Sequence, residues 1–335
     1  MSVASIGRRG LLNYSGSSIT ATALASLLLR TGEVRADRVP GESPTAPHHP
    51  PRATRVVHLC LCGGLSHLDS FDYKPQLERL HGKSLQSSER PETFFNQIGL
   101  LRKSDWTFRQ RGQSGLWMSD LFPQLAELAD DLTVIRSMVA ESANHTPATF
   151  EENSGFRLNG FPVMGSWISW GLGCETDELP SYVVLPDVRG LPAGGTINWS
   201  NGFLPARHQG VTMRSQGQAI ADLLPAREIA PETEIAGRKF LAEINRRHLK
   251  DRGHDDLAAR MRAYELAARM QLAVPEVTAL DHETAATQAA YGLGKPATND
   301  FGRSCLLARR LLEQGVRFVQ LFAGGAFGSP RINWD

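Results

Sequence analysis

The sequence is poor in cysteine, nearly balanced in charge and free of long hydrophobic runs. Its 335 residues include four cysteines, too few for a disulfide framework in a chain of this size. The formal net charge is +1, so the chain lacks the excess of positive charge that attracts nucleic acid, and we expect no nucleic-acid partner. Because no stretch of about 18 apolar residues occurs, we also expect no permanent membrane span.

Several common catalytic and nucleotide-binding motifs are also missing. Gly63 and Gly64 are not part of a phosphate-binding Gly-Lys-Ser/Thr loop, and GGLSHL does not match the dinucleotide-binding fingerprint. The sequence contains neither a Gly-x-Ser-x-Gly elbow nor a His-Glu-x-x-His helix. These absences argue against P-loop nucleotidases, Rossmann dehydrogenases, elbow-type serine hydrolases and zinc proteases.

The N-terminus has the features of an export signal. Arg8 and Arg9 form an arginine pair, an apolar segment follows at residues 19–29, and residues 34–36 fit a small-residue cleavage site. This pattern predicts a signal over residues 1–36, and the arginine pair indicates the twin-arginine route. We therefore expect contact with the export machinery and a periplasmic or extracellular location. The alternative interpretation is an N-terminal helix of the fold.

The rest of the chain divides into a spacer and one domain. Residues 37–53 are rich in proline and predict a disordered linker, and residues 54–335 form the domain. The composition, 41% hydrophobic and 21% charged, is sufficient for a sizeable core. Around residues 192–231, a sequence rich in Gly, Asn, Ser and Pro predicts a loop-rich insertion or lid rather than core.

Strand and helix patterns alternate along the domain. Apolar, β-branched runs predict strands at residues 54–64, 132–136, 179–187 and 316–325. Helical periodicity and capping signals predict a helix capped by Thr146 and helices at residues 121–129, 163–173, 233–273 and 299–314. This order predicts an α/β fold with a mainly parallel sheet flanked by helices, and the first strand is expected at its centre, buried on both faces.

Polar side chains follow three of the predicted strands. In parallel sheets, sites form where strands end at the carboxyl edge. The residues are His67, Asp69 and Asp72 after the first strand, His145 and Thr146 after the second, and Asn333, Trp334 and Asp335 after the last. We therefore expect these three loops to share one site.

Carboxylate and imidazole groups in such loops suit a divalent metal ion. Zinc, calcium, magnesium and manganese are all candidates, with His67, Asp69, Asp72 and Asp335 as ligands. Two neighbouring metals could clamp the oxygens of a phosphate or sulfate ester. The alternative interpretation is that Asp69 and Asp72 cap turns and that His67 is a satisfied loop histidine.

His145 and Thr146 are the candidate catalytic residues. A hydroxyl at a helix N-terminus could act as a nucleophile on an anionic ester held by backbone N–H groups. As an ordinary N-cap before Pro147, Thr146 needs no such role. His145 is a candidate metal ligand, general acid or contact to an ester oxygen.

Taken together, several segments resemble one family of exported bacterial proteins. The segments are the arginine-pair leader, GGLSHLDSFDYKP, WTFRQRGQSGLWMSDLFP, NHTPATF, GSWISWGLG, LPSYVVL, FGRSCLLARRLLEQGVRFVQL and the terminal NWD. They are similar to the domain of unknown function 1501 family, which is placed with the alkaline phosphatase and sulfatase superfamily. This resemblance implies an alkaline-phosphatase-like α/β sandwich with metal ligands at strand ends. It also implies hydrolysis of phosphate or sulfate esters by an activated hydroxyl or a formylglycine.

The chain departs from that superfamily pattern in three places. Gly63 and Gly64 stand where an acidic residue usually follows the first strand, and the motif that yields formylglycine is absent. The chain also stops at Asp335, before the histidine and Asp-His segments that the resemblance implies. We therefore expect a C-terminally truncated chain that lacks late strands of the sheet and is catalytically inactive as given.

Two hypotheses for function follow. The first is an exported, metal-dependent hydrolase-like protein that acts on a sulfated or phosphorylated small molecule or polysaccharide. The second is a non-enzymatic exported binding or scaffold protein that keeps the fold, with Trp199 and Phe203 as sugar-contacting side chains. Metal dependence separates the two.

Overall fold

The described part of the chain is built on short strands, most of them parallel. The computed structural model describes residues 52–86, 98–221, 223, 230–252, 255–325 and 334. Its strands are β1 (Val56–Leu61), β2 (Phe108–Arg111), β3 (Leu116–Ser119), β4 (Tyr182–Leu185), β5 (Val211–Thr212) and β6 (Phe318–Ala323). The predicted export signal and residues 37–51 of the predicted linker lie outside the described residues.

The main sheet has the order β1–β6–β4–β5, and all its pairs are parallel. All six residues of β6 and all four of β4 are buried, as is typical of continuous apolar runs in a parallel sheet covered on both faces. β2 and β3 form a separate antiparallel pair. The prediction of an α/β fold with a mainly parallel sheet flanked by helices is confirmed.

β1 lies at the edge of the described sheet, so the prediction of a central strand buried on both faces is wrong. Among the described strands, β6 is its only neighbour. Buried Cys60 alternates with Val57 and Leu59, which are 41% and 48% exposed. The apolar, β-branched sequence predicts the strand correctly, but hydrophobicity alone does not separate an edge from a centre.

The described part of the chain also contains α-helices. They are α1 (His67–Ser70), α2 (Pro75–Leu80), α3 (Pro123–Ala126), α4 (His145–Ser154), α5 (Met164–Leu172), α6 (Pro231–Arg252), α7 (Asp255–Thr278), α8 (Ala285–Ala290) and α9 (Asn299–Glu313). α9 packs on β6 and buries Leu306, Leu307 and Leu311 in the main core. Each fully buried leucine stabilises the fold by about 1.5–3 kcal/mol.

α5 comes unusually close to β4. A Cβ atom at Gly165 would lie 2.5 Å from the Cζ atom of Tyr182, so this close approach requires glycine. The helix ends at Leu172 and is followed by Gly173, whose φ of +65° favours glycine. The predicted helix at residues 163–173 is therefore confirmed, and so is that at residues 299–314, which corresponds to α9.

The long helical stretch predicted at residues 233–273 is two helices. α6 and α7 contact each other, and α7 also contacts α9, burying Met270, Val274 and Val277 in the main core. α6 alternates charged and apolar residues throughout its length. No helix in the described part of the chain is long and apolar enough to cross a membrane.

The predicted strand at residues 132–136 is wrong. This segment has no regular structure, and Ile135 in it and the following Met138 and Val139 are exposed. A β-branched run becomes a strand only where a neighbour accepts and donates its backbone hydrogen bonds, and no described strand pairs with it. The helix predicted at residues 121–129 is shorter than expected, because α3 spans Pro123–Ala126 and a 3-10 turn follows at Ala129–Asp131.

The segment that was expected to be a loop-rich insertion contributes to the core. Its described part contains β5 and two 3-10 turns, Gly195–Trp199 and Ala206–His208. Trp199 and Met213 are buried, Trp199 against β4 and β6 and Met213 in the main core. The Gly-rich composition reflects tight turns around these anchors rather than a detached lid.

Candidate functional site at the carboxyl edge of the sheet

The carboxyl ends of β4 and β6 are joined by one buried carboxylate. Asp187 follows β4, and its Oδ2 accepts a hydrogen bond of 2.7 Å from the backbone N–H of Gly324, which follows β6. Gly324 has a φ of +106°, a conformation that favours glycine. Burial raises the pKa of Asp187, but hydrogen bonds from Arg189 and Gly324 outweigh it, and the pKa lies below its ordinary value. Asp187 is therefore an ionised carboxylate at the sheet edge.

Arg189 pairs with this carboxylate through both side-chain and backbone groups. Its Nε donates to Oδ1 at 2.7 Å, its Nη2 donates to Oδ2, and its backbone N–H donates to Oδ1 at 2.9 Å. The hydrogen bonds to Asp187 raise the pKa of Arg189. The Asp187 side chain is 6% exposed and that of Arg189 is 36% exposed. The pair thus places a fixed cation at the surface above a buried anion.

Sequence reasoning missed this pair. The third predicted strand extended to residue 187 and so included Asp187. In the structure Asp187 follows the strand, at the edge where sites form. The position of an acidic residue immediately after a predicted strand was the available signal. Its partner Gly324, which lies 137 residues away in sequence, carries no signal of its own.

A cavity of about 1150 Å³ runs along β1 and α4. Its lining combines apolar groups with the polar or ionisable side chains of His58, Cys60, Cys62, His145, Glu151 and Glu152. Gly63 and Gly64, which follow β1, also line it. Of the residues predicted for the site, this cavity therefore contains His145.

Glu152 of α4 faces the side chains of β1 across this cavity. Its Oε2 lies 3.6 Å from the Sγ atom of Cys60, and its Oε1 lies 3.5 Å from Nε2 of His58. His58 and Cys60 lie two residues apart in β1 and share one side of the strand, and Cys62, just after the strand, lines the same cavity. Glu152 lies 92 residues from Cys60 in sequence, so no local pattern indicates that it faces this strand.

Asp69 is held by serine hydroxyl groups. Ser66 donates to its Oδ2 and Ser104 donates to its Oδ1, both at 2.7 Å. These hydrogen bonds, that from Ser66 foremost, lower the pKa of Asp69. His67, at the start of α1, is exposed. Both Asp69 oxygens thus have protein partners, which favours the interpretation of Asp69 as a turn-stabilising residue.

Asp72 is buried between two cations. Lys74 Nζ lies 2.8 Å from its Oδ2, and Arg136 Nη1 lies 3.6 Å from its Oδ1. This arrangement fixes the segment of residues 132–136 against the loop after β1. It satisfies the carboxylate without a metal ion.

The C-terminal candidate ligand, Asp335, lies outside the described residues. Its neighbour Trp334 donates a backbone hydrogen bond of 3.0 Å to the carbonyl of Cys62. The Trp334 ring also lies 6.3 Å from that of Phe122. Trp334 therefore contacts the loop that follows β1, as expected for strand-end segments that meet at one edge.

The described residues do not form a metal centre. Among them, no group of three or more His, Cys, Asp and Glu side chains is arranged to hold a metal ion. Asp69 and Asp72 have the protein partners given above, and Asp335 is outside the described part. The divalent metal and its four predicted ligands therefore remain a prediction.

The start of α4 differs from the prediction in its cap. Asn144, not Thr146, is the N-cap, and its Oδ1 accepts a hydrogen bond of 3.2 Å from the Thr146 backbone N–H. An Asn side chain reaches this N–H from the position before the helix, where its backbone is extended. Thr146 is thus the second residue of the helix, and the segment before it is not a strand.

Trp199 and Phe203, the proposed sugar-contacting residues, differ in exposure. Trp199 is 2% exposed and contacts Phe322 of β6, so it cannot stack on a sugar. Phe203 is exposed and meets Trp167 edge to face at 5.7 Å. The prediction of a shared aromatic surface is therefore wrong for Trp199.

The chain is an α/β protein in which a buried aspartate pairs with a partly exposed arginine at the carboxyl ends of β4 and β6, and in which a cavity lies beside β1. The model of the family described as "Protein of unknown function (DUF1501)" matches residues 53–335, and the chain belongs to that family. No curated protein and no solved structure matches the chain.

Proposed function

We propose that the chain forms an exported hydrolase-like domain, related to sulfatases and alkaline phosphatases, that binds a phosphate or sulfate ester at the carboxyl edge of its sheet. The observation that carries this proposal is the Asp187–Arg189 pair beside the ends of β4 and β6. The resemblance of the segments given above to a family that is placed with this superfamily supports the same assignment. The ligand class is a sulfated or phosphorylated small molecule or polysaccharide.

Arg189 has the chemistry that an anionic ester requires. A guanidinium is permanently charged, and its planar array of N–H groups matches the oxygens of phosphate and sulfate. Asp187 fixes its orientation, while the exposed part of the side chain faces solvent. Because the carboxylate is buried beneath it, an incoming anion contacts the guanidinium first.

His145 and Thr146 keep their proposed catalytic roles. His145 lines the cavity beside β1, and an imidazole there could act as a general acid toward an ester that enters this cavity. Thr146 is the weaker candidate, because it does not line this cavity. Since the described residues do not provide a metal centre, we assign no step to a metal ion.

Anion binding by the 335-residue chain tests the proposal. Isothermal titration with orthophosphate and with an aryl sulfate is expected to show binding that Arg189→Gln weakens at least about tenfold, the equivalent of one lost charge-assisted contact. Arg247→Gln is the matched control, since Arg247 also pairs with a carboxylate, Glu243, but lies on α6. Equal affinities in wild type and Arg189→Gln, or no binding at all, would overturn the proposal.

The second candidate is a non-enzymatic binding protein. The observation that favours it is that Asp69 and Asp72 have serine, lysine and arginine partners rather than open coordination sites. Replacing both with Ala should abolish metal binding under the first hypothesis and leave it unchanged under the second. Anion binding without turnover of aryl phosphate or aryl sulfate, with or without divalent metals, would favour the binding protein.

A further inference from the structure

Cys60 and Cys62 lie side by side on the cavity side of β1. Cys60 belongs to β1, Cys62 directly follows the last residue of the strand, and both cysteines line the cavity. They are 1% and 5% exposed, so the cavity is their route to a small molecule. Neither forms a disulfide in this structure.

The two thiol groups influence each other's ionisation. Cys62 is the largest cause of the raised pKa of Cys60, and Cys60 is the largest cause of the lowered pKa of Cys62. The negative charges of Glu152 and Asp187 oppose the lowering at Cys62. Cys62 is therefore the thiol that ionises first, and a thiolate is the reactive form.

The backbone changes direction directly after β1. β1 ends at Leu61, and Cys62 is already in the turn that continues through Gly63 and Gly64. Both glycines have positive φ, +93° and +89°, a conformation that other residues rarely adopt. The chain thus leaves its extended course at the second cysteine, where a disulfide needs its Cβ atoms to converge.

We propose that Cys60 and Cys62 form a redox-active dithiol that is oxidised by a small disulfide entering the cavity. The Cys62 thiolate attacks one sulfur of that disulfide, forms a mixed disulfide and releases one thiolate. Cys60 then transfers its proton to Glu152, whose Oε2 lies 3.6 Å from Sγ, and attacks the Cys62 sulfur. The second thiolate leaves. Two protein thiols are oxidised to one disulfide, and the small disulfide is reduced to two thiols once they are protonated.

The other two cysteines provide an internal control. The Cys174 Sγ donates to the carbonyls of Leu179 and Gly315, at 3.6 and 3.3 Å. Burial raises the pKa of Cys305 to about 11. Neither lines the cavity beside β1, so we expect neither to react with a small disulfide in the folded chain.

Oxidation of the folded, fully reduced chain by oxidised glutathione tests this proposal. Thiol titration should show the loss of two of the four thiols, and peptide mapping should place one disulfide between Cys60 and Cys62. Cys62→Ser should retain its thiols, whereas a chain with both Cys174→Ser and Cys305→Ser should form the same disulfide. Retention of all four thiols by the wild type, or a disulfide mapped to Cys174 or Cys305, would overturn it.

The role of Glu152 can be tested separately in a variant that keeps both cysteines. Glu152→Gln is expected to slow closure of the disulfide by about tenfold or more, as loss of a general base does. The adjacent Glu151→Gln is the matched control, since Glu151 accepts hydrogen bonds from the backbone N–H of Glu141. Equal rates of disulfide closure in the two variants would show that Glu152 is not the general base for this step.

Discussion

The two strands that flank β6 differ in how completely they are covered. On one side, β4 is buried at every residue, and on the other side β1 alternates between buried and exposed residues. Leu59 of β1 and Leu321 of β6 are register partners, yet they are 48% and 1% exposed. The same side chain in adjacent strands thus contributes very differently to stability.

The polar groups near β4 and β6 also differ from those beside β1. In the covered part, Tyr182 donates to Gln320, and Gln320 donates to Asn153, so that these three buried side chains are joined by hydrogen bonds. Beside β1, the titratable groups Cys60, Cys62 and Glu152 face a cavity. The difference suggests that the covered strands supply stability and the β1 side supplies reactivity.

The largest expected effect separates the two register partners. Leu321→Ala should lower the free energy of unfolding by about 2–5 kcal/mol, because it opens a cavity in the main core. Leu59→Ala should lower it by less than about 1 kcal/mol, since much of that side chain is already exposed. Chemical denaturation of both variants measures the contrast, and equal losses would contradict it.

Acid should destabilise the covered side through His208. Burial, followed by the charge of Arg207, lowers the pKa of this histidine to about 4, and it hydrogen-bonds to Ser169 and Arg207. The unfolded chain, with an ordinary pKa of about 6.5, binds the proton first as pH falls. Stability should therefore be full above about pH 6.5 and decline by about 3 kcal/mol down to pH 4.

Denaturation curves between pH 7 and pH 4 measure this decline. In His208→Gln the free energy of unfolding should fall less steeply with decreasing pH, because the variant lacks the one proton that His208 binds on unfolding. His248→Gln is the control, because His248 is exposed on α6. An unchanged slope in His208→Gln would show that the acid sensitivity arises elsewhere.

The buried amide network should be sensitive to loss of its central member. Gln320→Met keeps the volume but leaves the Tyr182 hydroxyl and the Asn153 carbonyl oxygen without this partner, at a cost of about 1–3 kcal/mol. The exposed Gln110→Met on β2 should change stability by no more than about 0.5 kcal/mol. Thermal unfolding compares the two, and a neutral Gln320→Met would contradict the assigned network.

The smallest effect is expected at Asp69. Ser104→Ala removes one hydrogen bond to its carboxylate, so the pKa of Asp69 should rise toward its ordinary value. A depressed carboxyl pKa stabilises the fold above the ordinary value and loses that contribution as pH falls. We expect Ser104→Ala to lower the free energy of unfolding by less than about 1 kcal/mol near neutral pH. NMR titration of the Asp69 carboxyl group measures the change in its pKa. A pKa that does not move would assign the shift to Ser66 alone.

The strands β1, β4 and β6 were predictable from their apolar, β-branched runs, and α9 was predictable from its helical periodicity, whereas β2, β3 and β5 were not predicted. The same rule failed at residues 132–136, where an apolar, β-branched run has no partner strand among the described residues. It also failed for Trp199, since a Gly-rich neighbourhood gives no sign of a buried anchor. Asp187 was overlooked because its partner, Gly324, becomes its neighbour only through the parallel pairing of β4 and β6.

Hydrogen–deuterium exchange in the presence and absence of orthophosphate tests anion binding at the carboxyl edge most directly. Peptides that contain residues 186–190 and 62–66 should exchange more slowly when the anion is bound, and peptides of α6 should be unchanged. Arg189→Gln should remove that protection. Protection confined to other parts of the chain, or retained in full by Arg189→Gln, would contradict a binding site at this edge.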